Sequence, residues 1–131
     1  MANPLHYAAW YGRTDAIKLL IEHGVDVNAK DVDGVTPLHY AARLGHTYAM
    51  KLLMEHGADI NASDNWDRTP LHIASRDGHT DAIRLLIEYG VNVNVKDNWG
   101  DTPLREASYR DHTDAIALLK GHCAIYKMNV G

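Results

Sequence analysis

The sequence predicts an all-α repeat fold, a solenoid of helix-turn-helix units joined by β-turn tips, and three recurrences along the chain predict it. The first is "PLHYAA", which starts at Pro4 and at Pro37 and returns as "PLHIAS" from Pro70 and "PLREAS" from Pro103. The second is "TDAIKLLIEHG" from Thr14, matched by "TYAMKLLMEHG" from Thr47, "TDAIRLLIEYG" from Thr80 and "TDAIALLKGH" from Thr113. The third is "VDVNAKD", "ADINASD" and "VNVNVKD". All three share a spacing of 33 residues, and each of the four prolines takes the same place in it. The expected units are 1–30, 31–63, 64–96 and 97–131, forming a single domain, with the first unit short of its opening turn.

Unit two shows why each element is expected. Thr36 is placed to cap a helix, and Pro37 sits in its first turn, where a missing N–H costs nothing. Leu38, Ala41 and Ala42 then form one apolar stripe at helical spacing. Gly45 ends that helix, and Thr47 is expected to cap the next. Ala49, Met50, Leu52 and Leu53 give the second helix a wide apolar face, as a helix with neighbours on two sides requires. Gly57 ends it, and "ADINASDNWDR" supplies turn-forming Asn, Asp and Ser. Each helix is about ten residues long, below the ~12–15 residues needed for marginal helicity in water, so only stacking of successive units can hold them.

Composition narrows the function. Net charge is −4 with 23% charged residues, which points away from nucleic acid and from anionic membranes. No apolar run approaches the roughly 20 residues that span a bilayer. The N-terminal stretch lacks the basic start and apolar core of a secretory signal. The lone Cys123 forms no internal disulfide, and a reducing, cytoplasmic setting is expected.

The segment Asp31 to Ala62 carries D-x-x-G-x-T-P-L-H-x-A-A-x-x-G-H followed by L-L-x-x-G-A-D-I-N-A, and in this it resembles the ankyrin repeat family. The likeness extends along the whole chain. It implies L-shaped units whose turn tips project sideways, with a concave surface made by tips and first helices. Its ends depart from the pattern. Ala2 and Asn3 stand near where counterparts of Gly34 and Thr36 are expected, Arg105 replaces a histidine, Asp111 replaces a glycine, and Lys120-Gly121-His122-Cys123 replaces an "IEHG". Atypical terminal repeats are expected where the outer face meets water. The closing "AIYKMNVG" is read either as a capping tail or as part of a longer array.

Nine histidines invite a catalytic or metal reading, but they fall in three registers: His6, His39 and His72; His46, His79 and His112; His23, His56 and His122. A catalytic site needs unlike groups converging on one point, whereas these repeat like structural parts. An imidazole donates and accepts at once and can tie a turn to a neighbouring helix. The resemblance implies that role for His39, with Thr36 as partner. The second register is expected to brace the loop between helices. The third sits where a helix dipole favours a cation, and a metal shared by His23 and His56 is its chemical alternative. No nucleophile elbow, P-loop, zincin or dinucleotide motif is present. "DVDG" and "DNWDR" lack the twelve-residue pattern of a calcium loop. A non-enzymatic chain without metal or cofactor is expected.

Positions that differ between units are those free for recognition. The tips offer Asp33 and Val35, Trp66 and Arg68, Trp99 and Asp101. The pair before the inter-helix glycine reads Trp10-Tyr11, Arg43-Leu44, Arg76-Asp77 and Tyr109-Arg110. One further first-helix position reads Tyr7, Tyr40, Ile73 and Glu106. Trp, Tyr and Arg dominate interface energetics, and a tryptophan at a solvated tip leaves apolar area in water. The alternatives are that Trp66 and Trp99 fold back onto a neighbouring turn, and that Tyr7 and Tyr40 are partly buried linkers. Mixed signs argue against a phosphate track, so a monomer binding another protein is the leading reading. A structural or assembly element is the other. Asn28, Asn61 and Asn94 are expected to bond their own turns. They also resemble the ankyrin asparagine that oxygen-sensing hydroxylases modify.

Overall fold

The computed structural model describes residues 3–130, with side chains described from Asn3 to His122. Among these residues the chain forms eight helices and no strand: α1 Pro4–Trp10, α2 Thr14–Glu22, α3 Pro37–Arg43, α4 Thr47–Glu55, α5 Pro70–Arg76, α6 Thr80–Glu88, α7 Pro103–Tyr109 and α8 Thr113–Val130. They pair in order. Odd-numbered helices stack as one layer, α1 on α3 on α5 on α7, and even-numbered helices stack as a second, α2 on α4 on α6 on α8. The core lies between the layers and is built from the expected stripes. Leu38, Ala41, Ala42, Ala49, Met50, Leu52 and Leu53 are all buried. The alanine pairs on α1 and α3 let their helices approach closely.

Helix starts follow two rules. Thr36 and Thr69 each accept a bond from the amide three residues on, and the histidine at that place returns a ring nitrogen to the cap's own N–H. Asn3 and His6 do the same on α1. On α7 Thr102 caps, but Arg105 has no acceptor to return, so the reciprocal half is missing.

The second helices start differently from expectation. Thr47 is already helical, and the cap position belongs to His46, which makes no side-chain cap bond. The reason lies one step earlier. Gly45, at φ +70, donates to Ala42 O at 3.2 Å, and His46 N–H reaches Ala41 O at 3.0 Å, closing α3. His46 is thus the residue that closes α3 and opens α4, and its ring is used elsewhere. Asp15, Asp81 and Asp114 supply negative charge in the first turns of α2, α6 and α8.

Where glycine is replaced, the backbone still needs its conformation or changes course. Asp111, in the register of Gly45, keeps φ at 53°, and Asp67, in the register of Gly34, keeps 58°. Gly24, Gly57 and Gly90 end α2, α4 and α6 with positive φ. Cys123 holds that register in α8, and the helix runs on through it to Val130. The Cys123 side chain lies outside the described residues.

Candidate functional site

The site is built on histidine bridges that join each unit to the next. His39 is 2% exposed. Its Nδ1 accepts from the Thr36 amide at 3.2 Å and lies 2.8 Å from Thr36 Oγ1, while Nε2 meets Arg68 O at 2.8 Å. Only a ring with its proton on Nε2 satisfies all three, because the Thr36 amide needs an unprotonated Nδ1. His72 repeats this with Thr69 and Asp101 O, and His6 Nε2 reaches Val35 O at 2.9 Å. Burial holds both His39 and His72 below the ordinary imidazole range, although the carbonyl that each faces opposes this.

The second register points the other way. His46, His79 and His112 place Nε2 at 3.0, 2.9 and 2.9 Å from Trp10 O, Arg43 O and Arg76 O, each in the preceding unit. The third register stays local: His23 and His56 return Nδ1 to Leu19 O and Leu52 O of their own helices, both at 2.8 Å.

On this frame the tips are tied in series. Asn65 N–H donates to Asp33 O and Asn98 N–H to Trp66 O, both at 2.9 Å. Between the tips and the odd helices lies a cleft of about 170 Å³. Asp33, Val35, Tyr40, Arg43, Trp66 and Arg68 line it, together with Ile73. An adjoining cleft of about 240 Å³ is lined by His6, Tyr7, Trp10, Tyr11 and Tyr40. Tyr40 is common to both. Its ring meets His6 and Trp10 edge-on at 5.5 Å, and its hydroxyl donates to Asp31 Oδ2. Burial first, then that bond, pushes the Tyr40 phenol up to about 12, so it stays a neutral donor. Burial alone would push the Asp31 carboxyl up. The bonds from Tyr40, Val35 and Asp33 outweigh it, and the net shift is downward.

The structure separates the predicted residues into kinds. Tyr40 is a half-buried linker, but Tyr7, at 59% exposed, is not. Trp66 turns back on its own tip, with the Arg68 guanidinium 5.0 Å from its ring and Arg68 Nε on Asp64 Oδ2 at 2.9 Å. Trp99 stands out at 64% exposed. Leu44 and Arg110 are exposed, and Arg76 and Asp77 half-buried, outside both clefts. Asp101 and Tyr109 join each other instead, Tyr109 donating to Asp101 Oδ1 at 2.8 Å.

Asn28 bridges units instead of closing its own turn. Its Nδ2 donates to Gly57 O at 3.1 Å and its Oδ1 accepts from Asp59 N–H at 2.7 Å. Asn61 Oδ1 likewise accepts from Asn92 N–H at 3.1 Å. The sequence reading took the aspartates of these tips as turn formers and missed that half-buried Asp31 and buried Asp64 are the partners of Tyr40 and Arg68; their recurrence at the head of each tip was the available signal.

Comparison with known proteins agrees with this architecture. A family model described as ankyrin repeats (3 copies) matches residues 2–64, and one described as ankyrin repeats (many copies) matches residues 53–107. A curated ankyrin repeat-containing protein of Schizosaccharomyces pombe is 47% identical over 34 residues, which is 26% of this chain. That match spans only 16% of the yeast protein's length. No helix among the described residues is long and apolar enough to cross a membrane. Paired helices at a fixed period, with threonine–histidine caps on α3 and α5 and family-model matches that together run from residue 2 to residue 107, place this chain in the ankyrin repeat family.

Proposed function

We propose that this chain is a non-enzymatic module that binds a protein partner through the clefts between its turn tips and first helices. Ankyrin repeats are generally protein–protein interaction modules and typically not enzymes. The observation that carries the finer reading is the joined pair of clefts meeting at Tyr40, with Trp66, Arg68 and Arg43 on one side and Trp10 and Tyr11 on the other. Both clefts have aromatic walls, and the one beside Trp66 also carries arginines and aspartates. Rigid aromatics held by tip-to-tip bonds lose little freedom on binding, and Trp, Tyr and Arg are the side chains that make hot spots. Trp99 extends the surface at the next tip. Asp101 and Tyr109 contribute less, being bonded to each other.

The test is a binding titration with a captured partner, comparing the chain with Trp66→Ala plus Trp99→Ala and with Tyr11→Ala. Losses of about 2 kcal/mol or more per hot-spot aromatic are expected. Equal binding by folded variants would move the site elsewhere.

An assembly role is favoured by one observation. On the outer face of α1 and α2, Leu19 is 55% exposed, whereas Leu52 in the same register is 8% exposed beneath its neighbour. Tyr7, Tyr11 and Arg13 share that face. Sedimentation velocity decides: we expect a monomer, and a dimer dissolved by Leu19→Lys would support assembly instead.

A further inference from the structure

The three turn tips are built alike except for one oxygen. In each, the leading aspartate turns Oδ1 to two backbone amides at 2.9 Å: Asp31 to those of Asp33 and Val35, Asp64 to those of Trp66 and Arg68, Asp97 to those of Trp99 and Asp101. The second oxygen is treated differently. Asp31 Oδ2 accepts from the Tyr40 hydroxyl, and Asp64 Oδ2 from Arg68 Nε. Asp97 is 6% exposed, and its buried Oδ2 has no donor.

The residues that hold the two donor registers in the last unit are Glu106, where Tyr40 stands, and Asp101, where Arg68 stands. Oxygens of Asp97, Asp101 and Glu106 lie within 4.8 Å of one another. A buried acceptor therefore faces two more carboxylates where its sister tips present a phenol and a guanidinium. Arg105 and Tyr109 both engage Asp101 Oδ1, at 3.4 and 2.8 Å, and neither supplies Asp97 Oδ2. An unpaired buried acceptor is costly, and three converging carboxylates add repulsion. Burial, then a side-chain hydrogen bond with Asp97 and the charge of that carboxylate, pushes the Glu106 carboxyl above its ordinary range.

We propose that Asp97, Asp101 and Glu106 bind a divalent, oxygen-seeking cation, with water completing its shell. Carboxylate oxygens are the ligands that such hard cations take. A proton shared by Asp97 and Glu106 is the competing account, and the experiment below separates the two. The sequence alone does not suggest the site, because its ligands come from a turn and a helix and follow no calcium-loop spacing. It lies outside both clefts, although Asp101 belongs to the wider protein-binding surface as well.

The experiment uses the whole chain, stripped with chelator, and terbium as the probe. Trp99 lies two residues from Asp97 on the same turn and can sensitise a bound lanthanide. Saturable terbium emission on tryptophan excitation is expected, displaced by Ca²⁺, together with a rise in melting temperature on adding Ca²⁺ alone. Both should be lost in Asp97→Asn, which keeps the Oδ1 acceptor that folds the tip, and in Glu106→Gln. Circular dichroism checks that both variants remain folded. Emission retained in both variants would mean an adventitious ion only and would overturn the proposal. Absence of saturable emission, with melting insensitive to Ca²⁺, would overturn it equally and assign the orphan oxygen to a proton shared with Glu106.

Discussion

Buried His39 and His72 are neutral connectors, and that sets a pH dependence. His39 and His72 each use Nδ1 as an acceptor and Nε2–H as a donor, so a second proton would break the bond to the threonine amide. Their folded values lie below the ordinary 6.5, so the unfolded chain binds more protons in the window just under it. The stabilisation is fully present above 6.5 and is lost as pH falls through the folded values. Urea midpoints measured from about pH 5 to 8 should rise with pH and level off above neutrality; a flat profile would contradict neutral connectors. The registers of these histidines were legible from the period alone. Their acceptors were not, because periodicity shows which residues are equivalent and not which neighbour each one faces. His39 reaches forward to Arg68 O, while His46 reaches back to Trp10 O.

Between neighbouring elements, glycine has two distinct duties. Gly45 and Gly57 both end helices with positive φ. A Cβ on Gly57 would meet nothing within 4 Å, whereas one on Gly45 would lie 2.7 Å from His79 Nδ1. Gly57→Ala should therefore cost only backbone strain, about 1–2 kcal/mol. Gly45→Ala should cost that and the bond from His79 to Arg43 O, about 2–3 kcal/mol in all. Denaturant titration of the two variants separates close packing between units from helix termination within one. The helix-ending role of these glycines was readable in the sequence, as was the core stripe. The start of α4 was not: Thr47 has the chemistry of a cap, but the turn at Gly45 has already given that place to His46. The orphaned Asp97 was equally hidden, because its meaning comes only from setting Glu106 beside Tyr40 in register.

For the molecule as a whole, the last described unit is the least tied down. α7 lacks the reciprocal half of its cap, and Arg105 stands where a bridging histidine stands in the other three units. In a solenoid, stability is a sum over units and their junctions. Amide hydrogen exchange should therefore be fastest in α7 and slowest in α3 to α6, which are flanked on both sides; uniform protection along the chain would count against this ordering. The solenoid and its period were plain from the sequence, because every unit writes the same pattern again. Which variable residues share a cleft was not, since Trp10 and Tyr40 belong to different units and meet only through stacking.

The side-chain bridges of His39, His46, Asn28 and their equivalents all run from one unit to an adjacent one. Pulled from its two ends, such a chain has, among the described residues, no long-range clasp to hold the whole against the load. It should yield link by link, each rupture paying out one period of slack, so that the molecule behaves as a short extensible spring.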